Sequence, residues 1–313
     1  MFDFTHHNHY QFKYNNRSFI LRTRPTDILS FSVGQCQQPP NSWFSECIRS
    51  CQLIYNKLKP GQNIKVFYGG GLDSEIMVQS FLLSGVPFSC LIIDNGADIN
   101  GPEVVHAVNY CTKYKIDYSI VTINPEDIIK RNLHLIYYQE FQVKQIANMM
   151  IIRAVEMLHK NDVYVLGGDP LLSRNIDLDQ FYISDDLQFQ HKWYHQMKED
   201  FNTCFTKYSL IEGACIISEF FSYTPEQLFS FLTEPVVEDL VNDRSIYKYG
   251  LASSKFKVYG RHFTFQARAR QQGHKAIGKY NNRVYRDLGV DASGLDVGYK
   301  THYNKLIEQL SYD

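Results

Sequence analysis

Ile64-Lys65-Val66-Phe67-Tyr68, followed at once by Gly69-Gly70-Gly71-Leu72-Asp73-Ser74, is the stretch on which the reading of this chain turns. The first five residues are mostly β-branched or aromatic and predict a buried strand. The glycines predict a tight turn, and Ser74 to Leu83 is helix-like. A strand, a glycine turn and a helix in succession gather backbone N–H groups at a helix N-terminus. Unpaired amides and the helix dipole both favour an anion there. Glycine suits such a loop because oxygens can approach the bare backbone. Three glycines alone are as compatible with an ordinary βα turn. The loop also lacks the GK[ST] ending of a kinase-type P-loop and the GxGxxG spacing of dinucleotide folds.

Outward from the loop the chain alternates between strand and helix patterns. Phe88 to Ile93 is a nearly continuous apolar run, as expected of a parallel strand buried on both faces. Asn100-Gly101-Pro102-Glu103 carries a capping residue, an early proline and an early acid, so a helix is predicted to start there. Val104, Val105, Val108, Cys111 and Tyr114 continue it at helical spacing. Tyr118 to Ile123 reads as a third strand and Asn124-Pro125-Glu126-Asp127 as another helix start. A long helix from about Glu140 to His159 is expected before Val163-Tyr164-Val165-Leu166, the fourth strand, which ends in Gly167-Gly168-Asp169. This alternation predicts an α/β fold with a doubly wound parallel sheet. Ligands in such sheets bind at the carboxyl ends of the strands. Both glycine turns and Asp94-Asn95-Gly96 fall on that edge.

On either side of this core the pattern is looser. Residues 1–60 are expected to form an N-terminal extension with one helix, capped by Asn41 or Ser42 and running to about Lys57. Residues 61–185 would form the nucleotide-binding core, and 186–313 a mainly helical, basic C-terminal region. There His191 to Phe205 looks helical, Thr224-Pro225-Glu226-Gln227 is a capping box, and a last helix spans about Tyr299 to Leu310.

The wording of the loop carries more than its glycines. Gly70-Gly71-Leu72-Asp73-Ser74 resembles the SGGxDS signature of the PP-loop ATP pyrophosphatases, whose core is a Rossmann-like sheet of the HUP type. The resemblance runs over about Lys65 to Asp169, and the loop looks most like that of the synthetase domain of asparagine synthetases. It implies ATP and Mg²⁺ as cofactors. Tyr68, Gly69, Gly70, Gly71, Leu72, Asp73, Ser74, Asp94 and Gly168 would then surround the nucleotide. Asp73 and Asp169 would approach the metal, and Asp73, Ser74 and Lys255 would serve the chemistry.

In that chemistry an acceptor oxygen attacks the α-phosphorus and pyrophosphate leaves, its charge offset by amides, metal and basic side chains. Ammonia or an amine then displaces AMP. A nucleobase- or tRNA-modifying or sulfur-transferring enzyme and a non-catalytic nucleotide binder are the alternatives. One position departs from the signature: its first Ser is Gly69 here, which removes a hydroxyl from the cradle. Phe2 stands where glutamine-dependent asparagine synthetases carry a nucleophilic cysteine, so glutamine hydrolysis is not expected of this chain.

Charge and composition add weaker signals. The net charge of −1 hides a segment, Arg244 to Arg286, that holds eleven Lys or Arg and no Asp or Glu. That segment, with Lys255, Lys257, Arg261 and Tyr259 in it, reads as a flap over the phosphates, as a surface for nucleic acid such as tRNA, or as a solvated basic face. A small-molecule acceptor is the expected partner beside ATP. His191 and His195 share a helical spacing but lack a third ligand. The seven cysteines are odd in number and form no CxxC pair, which suits reduced, buried thiols. No run reaches the ~18 apolar residues of a membrane helix, and no signal peptide is read at the N-terminus. A cytoplasmic location is therefore expected.

Overall fold

The parallel sheet is built from short apolar runs whose inner strands are buried on both faces, while the edge strand at Tyr118–Thr122 buries only Val121. A computed structural model describes residues 11–14, 29–158, 161–168, 172–174, 193–197, 199–242, 257–265, 273–290 and 299–312. Two short strands, β1 (Gln11–Tyr14) and β2 (Leu29–Ser32), pair antiparallel. Helix α1 (Trp43–Asn56) follows, capped by Ser42, whose hydroxyl accepts from the Ser45 amide. Next come β3 (Ile64–Phe67), α2 (Leu72–Ser84), β4 (Ser89–Asp94), α3 (Ala97–Tyr114) and β5 (Tyr118–Thr122). Three helices, α4 (Pro125–Lys130), α5 (Leu133–Phe141) and α6 (Ile146–Glu156), lead to β6 (Val163–Val165).

The order β5-β4-β3-β6-β9, with β9 at Cys215–Ile217, makes a five-stranded sheet in which every pairing is parallel. Strand parity separates the two faces. Val66, Cys90, Ile92, Val163, Val165 and Ile217 enter one apolar cluster with side chains of α1, α2 and α3. Phe67, Leu91, Val121, Tyr164 and Ile216 enter a second with side chains of α4 to α6. The sheet is thus covered by helices on both sides. Between β3 and β6 the chain order reverses direction across the sheet, which opens a crevice at their carboxyl ends.

A smaller antiparallel sheet has β8 (Trp193–Met197) between β7 (Leu172–Arg174) and β10 (Tyr299–His302). The remaining helices are α7 (Glu199–Glu212), α8 (Pro225–Leu232), α9 (Pro235–Asn242), α10 (257–262), α11 (Gly273–Leu288) and α12 (Tyr303–Leu310). The capping box is as read: Thr224 Oγ1 accepts from the Gln227 amide at 3.1 Å. The first apolar cluster joins Trp43, Cys47 and Ile54 of α1 to Val258, Tyr259, Leu306 and Leu310 near the C-terminus. Among the described residues no helix is long and apolar enough to cross a membrane.

Four expectations are corrected. The helix foreseen from Glu140 to His159 is two helices, because Gln142 takes a left-handed conformation (φ 58°) and ends α5. The helix foreseen to start at Asn100 does so, but as the second part of α3: a short helical stretch from Ala97 precedes it across a kink at Asn100, whose φ is −135°. The stretch from His191 to Phe205 contains strand β8 before α7 begins, so no helical face puts His195 one turn from His191, which lies outside the described residues. Residues Tyr299–His302 are strand, and only Tyr303–Leu310 is helix.

Candidate functional site

The glycine loop occupies the carboxyl end of the central strand. The Tyr68 amide still belongs to the sheet and donates to the Leu91 carbonyl at 2.9 Å. Gly71 is the N-cap of α2, in extended conformation and without a side-chain cap. The first helical bond runs from the Glu75 amide to the Gly71 carbonyl at 3.0 Å. The amides of Leu72 and Ser74 therefore have no carbonyl partner within the helix and point out of its first turn. Ser74 Oγ donates to the Gly71 carbonyl at 3.0 Å, which holds the hydroxyl beside those amides.

Gly70 turns the chain with φ +71°, and a Cβ there would lie 2.2 Å from the Glu103 carbonyl oxygen. Only glycine lets α3 approach the loop this closely. Gly69 differs, since nothing lies within 4 Å of the position its Cβ would take.

A cleft of about 310 Å³ opens beside the loop. Gly69, Gly71, Asp73 and Ser74 form one wall, and Leu166, Gly167 and Gly168 after β6 form another. Leu91 and Ile93 of β4 with Ala147, Met150 and Ile151 of α6 give it an apolar floor. Gly168 has φ +67°, and a Cβ there would lie 2.7 Å from the Glu219 Cα, so this turn too is built for glycine.

At the polar end of the floor sits Asn95, 7% exposed. Its amide donates to Asn100 Oδ1 at 2.8 Å, and Asn100 Nδ2 donates to the Ile93 carbonyl at 2.8 Å. The bend in α3 makes this possible by turning the Asn100 side chain back to β4. Asn95 is thereby held rigidly, yet its Oδ1 is buried with no hydrogen-bond partner. An acceptor left in that state costs about 1–3 kcal/mol.

Asp73 is reached from far along the chain. Tyr259 of α10, fully buried, donates its hydroxyl to Asp73 Oδ1 at 2.7 Å. The phenol ring stacks on Trp43 of α1, with centroids 5.3 Å apart and planes 9° from parallel. On the far side of the loop, Glu75 is 2% exposed, accepts from Tyr68 Oη at 3.2 Å and lies 3.1 Å from His106 Nε2.

Of the residues singled out by sequence, Tyr68, Gly69, Gly71, Asp73, Ser74 and Gly168 line the cleft. Tyr68 does so with its ring buried in the opposite apolar cluster. Gly70 supports the loop from behind. The Leu72 side chain packs against the apolar cluster of α1 to α3. Asp94 faces away from the cleft, because strand parity gives that face to Ile93 and Asn95, and its Oδ1 accepts from the Gly96 amide at 2.8 Å. Asp169 and Lys255 lie outside the described residues. The sequence reading set Asn95 on the ligand edge and Tyr259 in the basic segment without giving either a role, and it missed Asn100 and Met150 as site residues. Parity alone, with Leu91 and Ile93 as apolar residues two apart, would have carried the eye to Asn95.

The cleft lining holds few metal ligands of its own. Among the described residues no three His, Cys, Asp or Glu gather as a metal cage, and Asp73 is the carboxylate among those lining the cleft. Mg²⁺ is commonly held by one or two carboxylates plus substrate phosphates.

No protein-family model matches the chain, and no curated protein matches it. Among solved structures it is similar to the NMN synthetase from Francisella tularensis at 12% identity, covering 78% of this chain and 93% of that one, with a TM-score of 0.33. It is also similar to the NH3-dependent NAD synthetase from Campylobacter jejuni subsp. jejuni NCTC 11168, solved with nitrate ion, at 14% identity, covering 79% of this chain and 95% of that one, with a TM-score of 0.33.

Proposed function

We propose that this chain binds ATP with Mg²⁺ in the cleft and cleaves it between the α- and β-phosphates. The product of that step is an adenylated carboxylate or carbonyl oxygen, which ammonia or an amine then attacks. The observation that carries the reading is the loop itself. Its glycines and the uncapped start of α2 hold open amides around a serine hydroxyl, at the strand-order reversal where α/β sheets take their ligands.

In this reading the backbone amides of Leu72 and Ser74 bind the departing pyrophosphate, and the Ser74 hydroxyl joins them by turning its proton from the Gly71 carbonyl to a phosphate oxygen. Asp73 would help to hold Mg²⁺, and the ion would supply electrostatic neutralisation of the leaving group. The floor formed by Leu91, Ile93, Met150 and Ile151 takes the base and excludes water, and Asn95 Oδ1 receives a donor from the nucleoside. The acceptor oxygen attacks the α-phosphorus as the bond to the pyrophosphate oxygen breaks. The nitrogen nucleophile then adds to the activated carbon, AMP departs with the acceptor oxygen, and the nitrogen loses a proton to solvent. Lys255 retains its proposed place near the β- and γ-phosphates, and α10, two residues further on, already meets the loop through Tyr259.

Sulfur transfer, the rival within the same chemistry, needs an accessible thiolate. All seven cysteines are buried. Burial pushes the Cys36 and Cys215 thiols up to about 12 and also raises those of Cys47 and Cys51. These four thiols are packing groups, and Cys111, whose thiol is lowered by its hydrogen bond with Cys90, is itself fully buried, so a nitrogen nucleophile is preferred. The test is incubation of the full chain with ATP, Mg²⁺ and ammonium against a panel of carboxylic acids, separating the nucleotides at the end. AMP and pyrophosphate formed only with an acceptor support the reading, and ADP with orthophosphate overturns it. Tight nucleotide binding without any AMP would leave a non-catalytic binder.

A further inference from the structure

The loop and its immediate strand are not the whole of the site, because Asp73 is contacted by a residue 186 positions away. Tyr259 is an expensive way to make one hydrogen bond. Its phenol is fully buried and stacked on Trp43, itself fully buried, with Phe221 5.8 Å away on a tilted plane. A buried hydroxyl needs a partner, but any backbone carbonyl would serve. Here the partner is the carboxylate on the cleft wall. The donor is rigid, since the ring is fixed by two aromatic neighbours and its helix is closed by the Phe263 amide on the Tyr259 carbonyl at 2.8 Å. A second tie holds the same segment to α2, where Gln79 Nε2 donates to the Thr264 carbonyl at 2.9 Å.

We propose that Tyr259 is a positioning residue for the metal that accompanies the nucleotide. A hydrogen bond from an immobile hydroxyl to Asp73 Oδ1 stops the carboxylate from rotating, so that it meets the Mg²⁺–phosphate unit in one orientation. Outer partners of this kind set the aim of ligating carboxylates, and their loss costs roughly 10- to 100-fold in metal affinity. The inference rests on the proposed function, because it needs Asp73 to face a metal-bearing nucleotide. It also gives the basic segment a role besides that of a flap, since its described part reaches the loop with an aromatic hydroxyl.

The test uses the full chain, Mn²⁺ as a spectroscopic probe and α,β-methylene-ATP, which resists cleavage at the bond in question. Free Mn²⁺ is read by electron paramagnetic resonance during titration of the protein–nucleotide complex, and nucleotide affinity is measured separately in EDTA. Tyr259→Phe keeps the ring and its stack and removes only the donor. Expected is a weakening of Mn²⁺ binding by roughly 10- to 100-fold, with nucleotide affinity in EDTA and the far-ultraviolet circular dichroism unchanged. In the double variant with Asp73→Asn the two effects should fall short of adding, since one acts through the other. Unchanged Mn²⁺ affinity in Tyr259→Phe, or an equal loss of nucleotide affinity in EDTA, overturns the inference and leaves the proposed function standing. Failure of the wild-type chain to bind metal with nucleotide overturns both.

Discussion

Gly70 and Glu103 are in backbone contact: a methyl group on Gly70 would sit 2.2 Å from the Glu103 carbonyl oxygen. The first helix after the second parallel strand is therefore pressed directly against the loop after the first. The same bent helix braces the turn after β4 through Asn100. One element thus positions two walls of the cleft, and the loop has lost the freedom to accept any side chain at its middle glycine.

Gly70→Ala should unfold the chain more readily, for two additive reasons. Alanine at φ +71° is strained, and the methyl has only backbone to displace. Together these cost about 2–5 kcal/mol, to be read as a lowered midpoint in urea. Nucleotide binding, measured well below that midpoint, should also weaken, because the loop must shift to relieve the clash.

Gly69→Ser should behave in the opposite way. Its Cβ would enter open space, and its φ is not among the positive values. Stability should change by no more than about 0.5 kcal/mol. The new hydroxyl adds a donor to the phosphate cradle, so the rate of AMP release should rise. A rate that falls would mean that the nucleotide fills the space above Gly69 with something other than phosphate.

Asn95→Leu separates folding from binding. The substitution removes a buried, partnerless acceptor, so thermal unfolding of the nucleotide-free chain should move upward, by about 1 kcal/mol. ATP binding should weaken at the same time, by about fivefold for a lost hydrogen bond of that size. Calorimetry of both forms gives both signs in one experiment. A fall in both quantities would show that Asn95 is a structural residue.

Native thiols should be silent. With all seven cysteines buried, an aromatic disulfide reagent should label no thiol stoichiometrically in the folded chain and all seven after denaturation. One cysteine that reacts quickly when native, with loss of activity, would bring the sulfur-transfer reading back.

The sequence was legible where one residue type decides the outcome locally. The apolar runs at Ile64, Phe88 and Val163 each became strands because no other element buries so short a run on both faces, and the β-branched run at Tyr118 became the edge strand beside them. The glycine loop was legible because its conformation demands glycine at Gly70. Strand β9 was missed, since Cys215-Ile216-Ile217 is only three residues long. The break at Gln142 was equally hidden, because a left-handed glutamine (φ 58°) gives no local warning. Strand β8 reads as helix until its neighbours β7 and β10 are known. For the site, no spacing rule could have linked Tyr259 to Asp73, since their contact exists only once α1 has placed Trp43 beneath the phenol ring.

The pairing of β3 with β6 sets Ile64 beside Val163, so about a hundred residues of chain must be synthesised and looped before the crevice between them exists. Closing so long a loop is slow compared with forming local turns. On the ribosome the glycine loop is thus exposed for a long interval as a nascent strand–turn–helix with no opposite wall. A fragment that stops short of β6 should keep the loop residues and yet bind no nucleotide, so ligand-assisted folding can act only after the fourth parallel strand has emerged.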